Sequence, residues 1–448
     1  MVRCGHLFAV LTVGTLSCLV VCPSQAAETA TLKYLTRDGR SVIETPRVIS
    51  STGRIALFRT VSPAARQLIV MDLQSGEETP VDEPGIPGNP AWSPDGTVLA
   101  YTWRSAQPGL QENTLRLWRG GQRAGRILAG GADGYSEFAW SPDGRRLAVR
   151  KHTPDWKRVR VSIFDVRARK EVEVNPAHLD SGTYQSAGSW RPDSAAFCFP
   201  AREVKEGPYG VWVCKADGSQ LRRVTPPECT VDKVHWQKDG AWIAFGAHYQ
   251  RAEGESWERD IWLVKPSGRG LHRVTQGAST DWKRRNSYGL YTCTPEEGYA
   301  IVRWYFPDFG RHRADRPAGG WAYVDLKTGE VIPAVATDIS GSVRDTESPY
   351  WEMSPDGYRF FCRWGESEIR DLTAEKETPG ATWQVAHVFD VRTRTDVEVL
   401  RIRTDTGSLR FVGWPSFSPD GKRVYFTLEK VIPGSEVTLE SDVCYLDL

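Results

Sequence analysis

Basic and aromatic side chains recur where short apolar stretches of this sequence end, in the words FRT, TWRS, VRKH, PARE, AHYQ, VRWYF and CRWG. The positions with chemical potential are Arg104, Arg150, His152, Arg202, His248, Tyr249, Arg303, Trp304, Arg363 and Trp364, joined by Arg59, Lys151 and Trp103. Guanidinium groups bind carboxylates and sulfates through paired hydrogen bonds, and aromatic rings stack on flat apolar faces. If these positions share one surface, they form a rim suited to an anionic oligosaccharide. Charged residues that merely solvate strand ends would give the same pattern.

Other reaction chemistries have no motif in the sequence. The seven histidines after residue 30 form no H-x-H or H-E-x-x-H pair, and no G-x-S-x-G pentapeptide is present. The glycine-rich stretch GGQRAGRILAGGADG lacks a following helix, so it indicates turns and not a phosphate loop. We therefore expect no metal and no cofactor. A binding function is the preferred hypothesis. Catalysis is kept as an alternative, because a fold can bring histidines that are distant in the sequence into one site.

Six cysteines follow residue 30, and none belongs to a C-x-x-C pair. Cys198 and Cys214 lie in AAFCFPA and YGVWVCKA, which would pair as antiparallel strands around a loop centred near Lys205 or Glu206. We predict a cross-strand disulfide between them, with two buried thiols as the alternative.

A repeated hairpin positions the strand ends. It recurs in PAWSPDGTVLAYTW, FAWSPDGRRLAVRKH, GSWRPDSAAFCFPA and VHWQKDGAWIAFGAH, whose turn aspartates are 46 to 50 residues apart. Proline fixes φ at the second position of the turn, and glycine accepts the left-handed conformation that closes it. The tryptophan before each turn is predicted to pack as a wedge between neighbouring repeats, at Trp92, Trp140, Trp190 and Trp236.

Further copies raise the count to eight. EMSPDGYRFFCRW and PSFSPDGKRVYFTLE match closely, and degenerate copies are YTCTPEEGYAIVRW and VISSTGRIALFRT. A period of about 40 to 60 residues with four short strands is typical of a β-propeller. We predict an all-β propeller of eight four-stranded blades, with seven as the alternative. The last copy is one strand short, so residues 31–36 should complete its blade and close the ring.

The first 26 residues have the order of a secretory signal peptide, with Arg3, an apolar run over 7–21 and small residues at 26 and 27. We predict a single propeller over residues 28–448, exported to the periplasm or beyond, monomeric, and without a further membrane span. Lys and Arg total 57 and Asp and Glu total 56, which argues against a nucleic-acid partner. A basic rim then requires that acidic residues gather elsewhere.

The WSPDG turn, followed by a strand and then VMDLQSGE, resembles the repeat of TolB-type propellers, found in periplasmic TolB and in prolyl-oligopeptidase-like enzymes. The resemblance covers nearly the whole chain after the signal. Ser194 replaces the turn glycine and Lys238 the proline, while the α/β domain of TolB and a peptidase domain have no counterpart here. The resemblance implies a turn-making role for Asp95, Asp143, Asp356 and Asp420.

Three functional hypotheses stay open, because a fold does not give an activity. The preferred one is an exported, non-catalytic propeller that presents a loop face to an anionic oligosaccharide or an envelope protein. The second is an enzyme similar to the oligogalacturonate lyases, whose propeller scaffold has turns of this kind but whose histidine pattern has no match in this sequence. The third is a docking component of an envelope assembly.

Overall fold

The computed structural model describes residues 31–107, 109, 112–182, 188–203, 207–249, 258–277, 287–294, 298–305, 319–336, 342–345, 351–369, 379–403, 410–430 and 440–448. These residues form 33 β-strands and no helix, so none could cross a membrane as a helix. The strands make eight antiparallel sheets, which are the eight blades of a propeller. The predicted signal peptide lies outside the described residues.

The closing strand and the first four blades follow one another along the chain. They are β1 Lys33–Tyr34; in blade 1, β2 Ser41–Val42, β3 Arg54–Ser62, β4 Ala65–Asp72 and β5 Glu78–Pro80; in blade 2, β6 Ile86–Trp92, β7 Val98–Arg104, β8 Asn113–Arg119 and β9 Arg126–Gly131; in blade 3, β10 Gly134–Trp140, β11 Arg146–His152, β12 Val159–Asp165 and β13 Lys170–Glu173; in blade 4, β14 Ser189–Trp190, β15 Ala196–Ala201, β16 Gly210–Lys215 and β17 Arg222–Arg223.

The remaining four blades repeat this order, except that two short strands together edge blade 7. They are, in blade 5, β18 Thr230–Trp236, β19 Ile243–Tyr249, β20 Glu258–Val264 and β21 His272–Arg273; in blade 6, β22 Ser287–Cys293, β23 Tyr299–Tyr305, β24 Gly319–Asp325 and β25 Val331–Ala336; in blade 7, β26 Ser342–Asp345, β27 Trp351–Met353, β28 Arg359–Ile369, β29 Pro379–Asp390 and β30 Thr395–Arg403; in blade 8, β31 Arg410–Phe417, β32 Arg423–Lys430 and β33 Glu440–Asp447.

The ring is closed by β1, which is the fourth strand of blade 8. Lys33 pairs with Tyr445 and Tyr34 with Cys444, and the next two backbone N–H groups both donate to the Val443 carbonyl. The regular pairing is shorter than the six residues expected, but it lies within residues 31–36. Because closure joins the two ends of the described chain, the ladder leaves no open edge at β33.

The S-P-D-G turns are held by their own side chains. In blade 2, the hydroxyl of Ser93 donates to Asp95 and accepts from the backbone N–H of Val98, while Asp95 also accepts from the N–H of Thr97 at 3.0 Å. Gly96 has a φ of 68°. The same bonds recur at the Ser-Pro-Asp turns of blades 3, 7 and 8, so the turn-making role of the aspartates is observed.

The tryptophans before the turns join neighbouring blades, as expected. The indole N–H of Trp92 donates to the carbonyl of Val48 in blade 1 at 2.9 Å. Trp140 donates in the same way to blade 2 at 3.0 Å, and Trp190 to blade 3 at 2.8 Å. These three rings therefore fill the space between two sheets and also satisfy a backbone carbonyl. Trp236 packs between blades 4 and 5 in the same way, but its indole N–H is buried and has no hydrogen-bond partner among the described residues.

The predicted disulfide is wrong. Cys198 pairs with Val213 across the ladder, and Cys214 pairs with Phe197, one step away. Because side chains alternate between the faces of a strand, this register sends the two thiols to opposite faces of blade 4. Cys198 packs between blades 4 and 5 and Cys214 between blades 3 and 4, and both are free thiols.

Candidate functional site on the distal face

The two faces of the ring carry different parts of each blade. The first strand of a blade ends in the S-P-D-G turn and the second strand begins there, so the second strand ends on the opposite face. We call this opposite face the distal face. Arg104, His152 and Ala201 end the second strands of blades 2, 3 and 4. The predicted rim positions at these strand ends therefore belong to the distal face, whereas Arg363 lies in the middle of β28, which continues to Ile369.

The structure gathers three predicted rim residues and spreads the others. Arg150, His152 and Arg202 lie on the neighbouring blades 3 and 4. The others are distributed around the ring: Arg104 is exposed, His248, Arg303 and Trp304 are partly buried, Arg363 is buried, and the side chains of Tyr249 and Trp364 lie outside the described residues. A continuous basic ring is therefore not observed among the described side chains.

Two of the predicted cations do not present their charge at the surface. Arg150 is only 2% exposed, and its guanidinium donates to Glu137 Oε1 at 2.6 Å and to the carbonyl of Gly182. Arg363 is buried as well, with its guanidinium carbon 5.2 Å from the centre of the Phe411 ring. Both side chains are parts of the blade structure, which corrects their assignment as rim cations.

Carboxylates stand beside other rim cations, contrary to the expectation that acidic residues gather elsewhere. Arg59 lies 2.6 Å from Asp38 and 2.7 Å from Glu78, and Lys151 lies 3.2 Å from Glu171. These pairs offset much of the local positive charge. Attraction of an anion by the distal face therefore depends on particular places and not on the whole rim.

One such place is a cavity of about 410 Å³ between blades 3 and 4, which falls within the roughly 300–1,000 Å³ typical of small-ligand sites. It combines the aromatic side chains of Trp156 and Tyr209 with three cations and with two carboxylates, Asp180 and Glu203. Its lining includes Trp156, Lys157, Arg158, His178, Arg202 and Tyr209.

The floor of the cavity is built by the chain that crosses from blade 3 to blade 4. Asp180 forms a two-way backbone bridge with Arg202, and their side chains are paired at 3.2 Å. The Arg202 guanidinium also lies 4.8 Å from the centre of the Tyr209 ring. Burial raises the pKa of Tyr209, so its hydroxyl stays protonated. Gly182 has a φ of 66° and no room for a side chain beside that hydroxyl.

The wall of the cavity is a turn that repeats the S-P-D-G geometry on the distal face. We call residues 153–158, with the sequence TPDWKR, the distal turn. The Thr153 hydroxyl donates to Asp155 at 2.7 Å and accepts from the N–H of Arg158, and Asp155 accepts from the N–H of Lys157. Trp156 stands where the other turns have glycine, and it has a φ of 56°. Hydrogen bonds from Thr153 and Lys157 lower the pKa of Asp155 to about 2.

The indole of Trp156 lies flat on the imidazole of His152. Their ring centres are 3.4 Å apart and their planes differ by 12°. The imidazole in turn fits over Gly134, where an added Cβ would come within 2.2 Å of it. One face of the indole is therefore covered, while Trp156 as a whole remains 43% exposed and lines the cavity.

Two cations come directly after Trp156 in the chain. Lys157 is 3.1 Å from Asp155 in a pair that is largely exposed, and Arg158 is 3.1 Å from Glu173. Exposed pairs of this kind are weak and exchange partners readily. The Nε of Arg158 is buried and has no hydrogen-bond partner among the described residues. The side chains of Lys157 and Arg158 are 81% and 39% exposed, so the cavity offers donors that an anion could reach.

A second polar cluster lies on blade 5. His248 Nε2 is 3.1 Å from Asp232 Oδ2, and Arg259 Nε is 3.3 Å from His248 Nδ1. Burial raises the pKa of Asp232, but the hydrogen bond and charge of His248 and the charge of Arg259 outweigh it, so the carboxyl titrates below its usual range. The cluster joins an oriented histidine to a guanidinium.

First strands of neighbouring blades contact one another at β6 and β10, β10 and β14, β14 and β18, β18 and β22, and β27 and β31. Bulges in these strands fall at Glu137, at Asp232 and Lys233, and at Tyr291. The Nε2–H of His235 donates to the Tyr291 carbonyl at 3.1 Å. Burial, reinforced by the charges of Lys233 and Arg47, lowers the pKa of His235 to about 3, so this imidazole is neutral.

Sequence reasoning missed Trp156, Arg158 and Tyr209. The signal that could have found the first two is the word TPDWKR, which copies the S-P-D-G pattern with threonine for serine and tryptophan for glycine. Tyr209 has no comparable local signal, because it reaches the cavity through the packing of blade 4. No three His, Cys, Asp or Glu side chains come together as a metal site in the described part of the chain.

Comparison with known proteins agrees with this architecture. The solved oligogalacturonate lyase of Vibrio parahaemolyticus is similar with a TM-score of 0.50 and 12% identity, over 95% of this chain and 96% of that one. TolB of Acinetobacter baumannii is similar with a TM-score of 0.39 and 15% identity, over 79% of each chain. The fold is that of an eight-bladed β-propeller.

At the level of sequence the similarities are weaker. An uncharacterized protein of Agrobacterium fabrum is 25% identical over 171 residues, which make up 38% of this chain and 52% of that protein. The chain thus spans about half the length of that curated relative. No protein-family model matches the chain. The comparisons establish the fold, and any activity must be argued from the site.

Proposed function

We propose that the protein is a binding propeller that takes an acidic oligosaccharide on its distal face, in the cavity between blades 3 and 4. The observation that carries the proposal is the combination in that cavity of an exposed indole with Lys157, Arg158 and Arg202. A carboxylate of the ligand would replace the weak surface partners of Lys157 and Arg158. Arg158 can take part because its side chain is 39% exposed and its pair with Glu173 is a surface pair.

The test is a binding titration with a panel of oligosaccharides. Oligogalacturonate and sulfated oligosaccharides are compared with neutral maltooligosaccharides by calorimetry, at low and at physiological ionic strength. We expect binding of the acidic members only, and weaker binding in salt, because exposed charges are screened. The absence of binding, or equal binding of neutral sugars, would overturn the proposal.

A matched pair of variants locates the site. Arg158→Gln should weaken binding about tenfold or more, because a hydrogen bond to a charged group contributes about 1.5–3 kcal/mol. Arg145→Gln removes a similar charge from an arginine that is 80% exposed on the opposite face, and it should leave binding unchanged. If both variants bind like the wild type, the cavity is not the binding site.

The second candidate function is a lyase acting on uronates, favoured by the cluster of Asp232, His248 and Arg259. With Nε2 held by Asp232, His248 would act as general base through Nδ1, after the Arg259 guanidinium leaves that nitrogen for the uronate carboxylate. His248 would take the proton from the carbon beside the carboxylate, the C–H electron pair would form the C=C bond, and the glycosidic C–O bond would break, its oxygen taking a proton from water. Among the described residues these side chains do not fit a metal site, so no step is assigned to a metal. Ultraviolet absorbance of an unsaturated uronate product, lost in His248→Gln, would favour the lyase. If no unsaturated product forms from oligogalacturonate, the lyase hypothesis is rejected and only the binding function is retained.

We further propose that the protein acts outside the cytoplasm as a monomer. The support is the predicted signal peptide, whose removal near residue 26 can be read by N-terminal sequencing of protein purified from the culture medium or periplasm. Retention of the first residues in cytoplasmic protein would contradict export. Size-exclusion chromatography with light scattering tests the monomer. A stable envelope partner recovered after cross-linking would favour the docking hypothesis instead.

A further inference from the structure

Trp156 combines three properties that a structural tryptophan rarely has together. Its backbone is in the left-handed region at a φ of 56°, where a bulky side chain is strained and glycine is not. Its side chain is exposed, so burial in the core does not compensate for that strain. Its ring is nevertheless fixed in orientation by the stack on His152. Strain that persists at an exposed, oriented side chain points to a function.

The distal turn explains how the strained residue is held. The side chains of Thr153 and Asp155 close the turn through bonds to the backbone, whatever side chain occupies position 156. The same frame fixes the direction in which Lys157 and Arg158 leave the turn. An apolar ring face and two cations are thus placed side by side by six consecutive residues.

We propose that Trp156 is a stacking platform for a pyranose ring of the ligand, and that the ring it selects carries a carboxylate. This inference rests on the function proposed above and narrows it to uronates. The uncovered indole face suits the flat C–H face of a sugar ring, while Arg158 at the edge of the cavity suits the carboxylate of the same unit. A small inorganic anion would gain from the cations but not from the indole.

The contacts around the indole argue against a purely structural role for it, because its neighbours are held in place by other contacts. The imidazole that it covers is already seated over Gly134 and hydrogen-bonded to the carbonyl of Thr153 at 3.0 Å. Tyr209 and Arg202 form the far side of the cavity through contacts of their own. Removing the indole should therefore leave these neighbours in place.

The decisive variant is Trp156→Gly, which restores the residue that the S-P-D-G turns use. Relief of the left-handed strain should keep the melting temperature at or above that of the wild type. Affinity for oligogalacturonate should fall at least tenfold, while the much weaker binding of inorganic sulfate should not change. Trp156→Phe keeps a ring in the strained position and should lose only part of the affinity.

Arg169→Gly is the matched control. Arg169 has the same φ of 56° and is exposed on the opposite face of the same blade. The Arg169→Gly variant should show the same rise in melting temperature from the relief of strain, and its affinity for oligogalacturonate should not change. A melting temperature of Trp156→Gly that falls well below the wild type, while Arg169→Gly does not, would show that the indole supports the fold and would overturn the platform.

Two failures can be told apart. If the wild type binds no acidic oligosaccharide, the proposed function is wrong. If the wild type binds oligogalacturonate and Trp156→Gly binds it equally well, the function stands and the platform is wrong. The indole N–H resonance that disappears in Trp156→Phe should shift when the wild type is titrated with oligogalacturonate, and a resonance that stays fixed at saturation would contradict stacking.

Discussion

One of the contacts that close the ring is made by a hydroxyl that can be removed without changing the shape of the side chain. Thr36 is 6% exposed, and its Oγ1 donates to Asp442 at 3.0 Å and accepts from the N–H of Val443 at 3.0 Å. Thr36→Val keeps the volume and leaves both partners without this hydroxyl. A buried N–H without an acceptor costs about 1–3 kcal/mol. Asp442 retains the N–H of Gly39 at 3.1 Å, so its loss adds only about 1 kcal/mol.

We therefore expect Thr36→Val to lower the free energy of opening of the closing strand by about 2–4 kcal/mol. At about 1.4 kcal/mol for each factor of ten, amide exchange over β33 should accelerate roughly 30- to 700-fold. Hydrogen–deuterium exchange with mass spectrometry measures this on the peptide that contains Val443. The control is Thr79→Val, on the outer strand of blade 1, where we expect a change within about 0.5 kcal/mol. Equal exchange in the two variants would refute the reasoning.

Three other outcomes are expected. Burial holds the pKa of His235 at about 3, against 6.5 for the unperturbed group, so the protein should lose stability as the pH falls from 6.5 towards 3. His235→Gln can still donate to the Tyr291 carbonyl, and this variant should flatten that part of a curve of stability against pH. Trp140→Phe should lower the free energy of unfolding by about 0.5–1.5 kcal/mol in denaturant titrations, because it removes the indole hydrogen bond between blades 2 and 3. Cys198 and Cys214 should both be alkylated in unreduced, unfolded protein, and a linked peptide in the mass spectrum would contradict the structure.

The repeat could be predicted from the sequence because each turn is formed by hydrogen bonds between residues that are close together in the chain. Ser93, Asp95 and Gly96 form their turn through bonds within five residues, so the pattern of residue types alone identifies the hairpin. The tryptophan before each turn is equally local in its position. Counting such hairpins gave eight blades, which the structure confirms.

The relations across strands could not be predicted in the same way. A shift of one residue in register sends a side chain to the other face of the sheet. For this reason Cys198 and Cys214 lie on opposite faces of blade 4 and form no disulfide. The pairing of Arg150 with Glu137 depends on a bulge in β10 that turns Glu137 back towards it. The residue types of a single strand show neither the register nor the bulge. The sequence therefore located the charged residues of the rim but could not predict which carboxylates pair with them.

The S-P-D-G turn of blade 2 and the distal turn differ in the space around their left-handed residue. A Cβ at Gly96 would lie 2.8 Å from the Ser51 hydroxyl and 3.1 Å from the backbone nitrogen of Thr52, because this turn packs against blade 1, whereas a Cβ at Gly144 would meet only Pro94 at 3.9 Å. Glycine is required there by space as well as by φ. The distal turn has the same frame of hydrogen bonds, but its left-handed residue faces a cavity and solvent. Only the backbone conformation then opposes a side chain, and Trp156 occupies the position because Thr153 and Asp155 already hold the backbone in place.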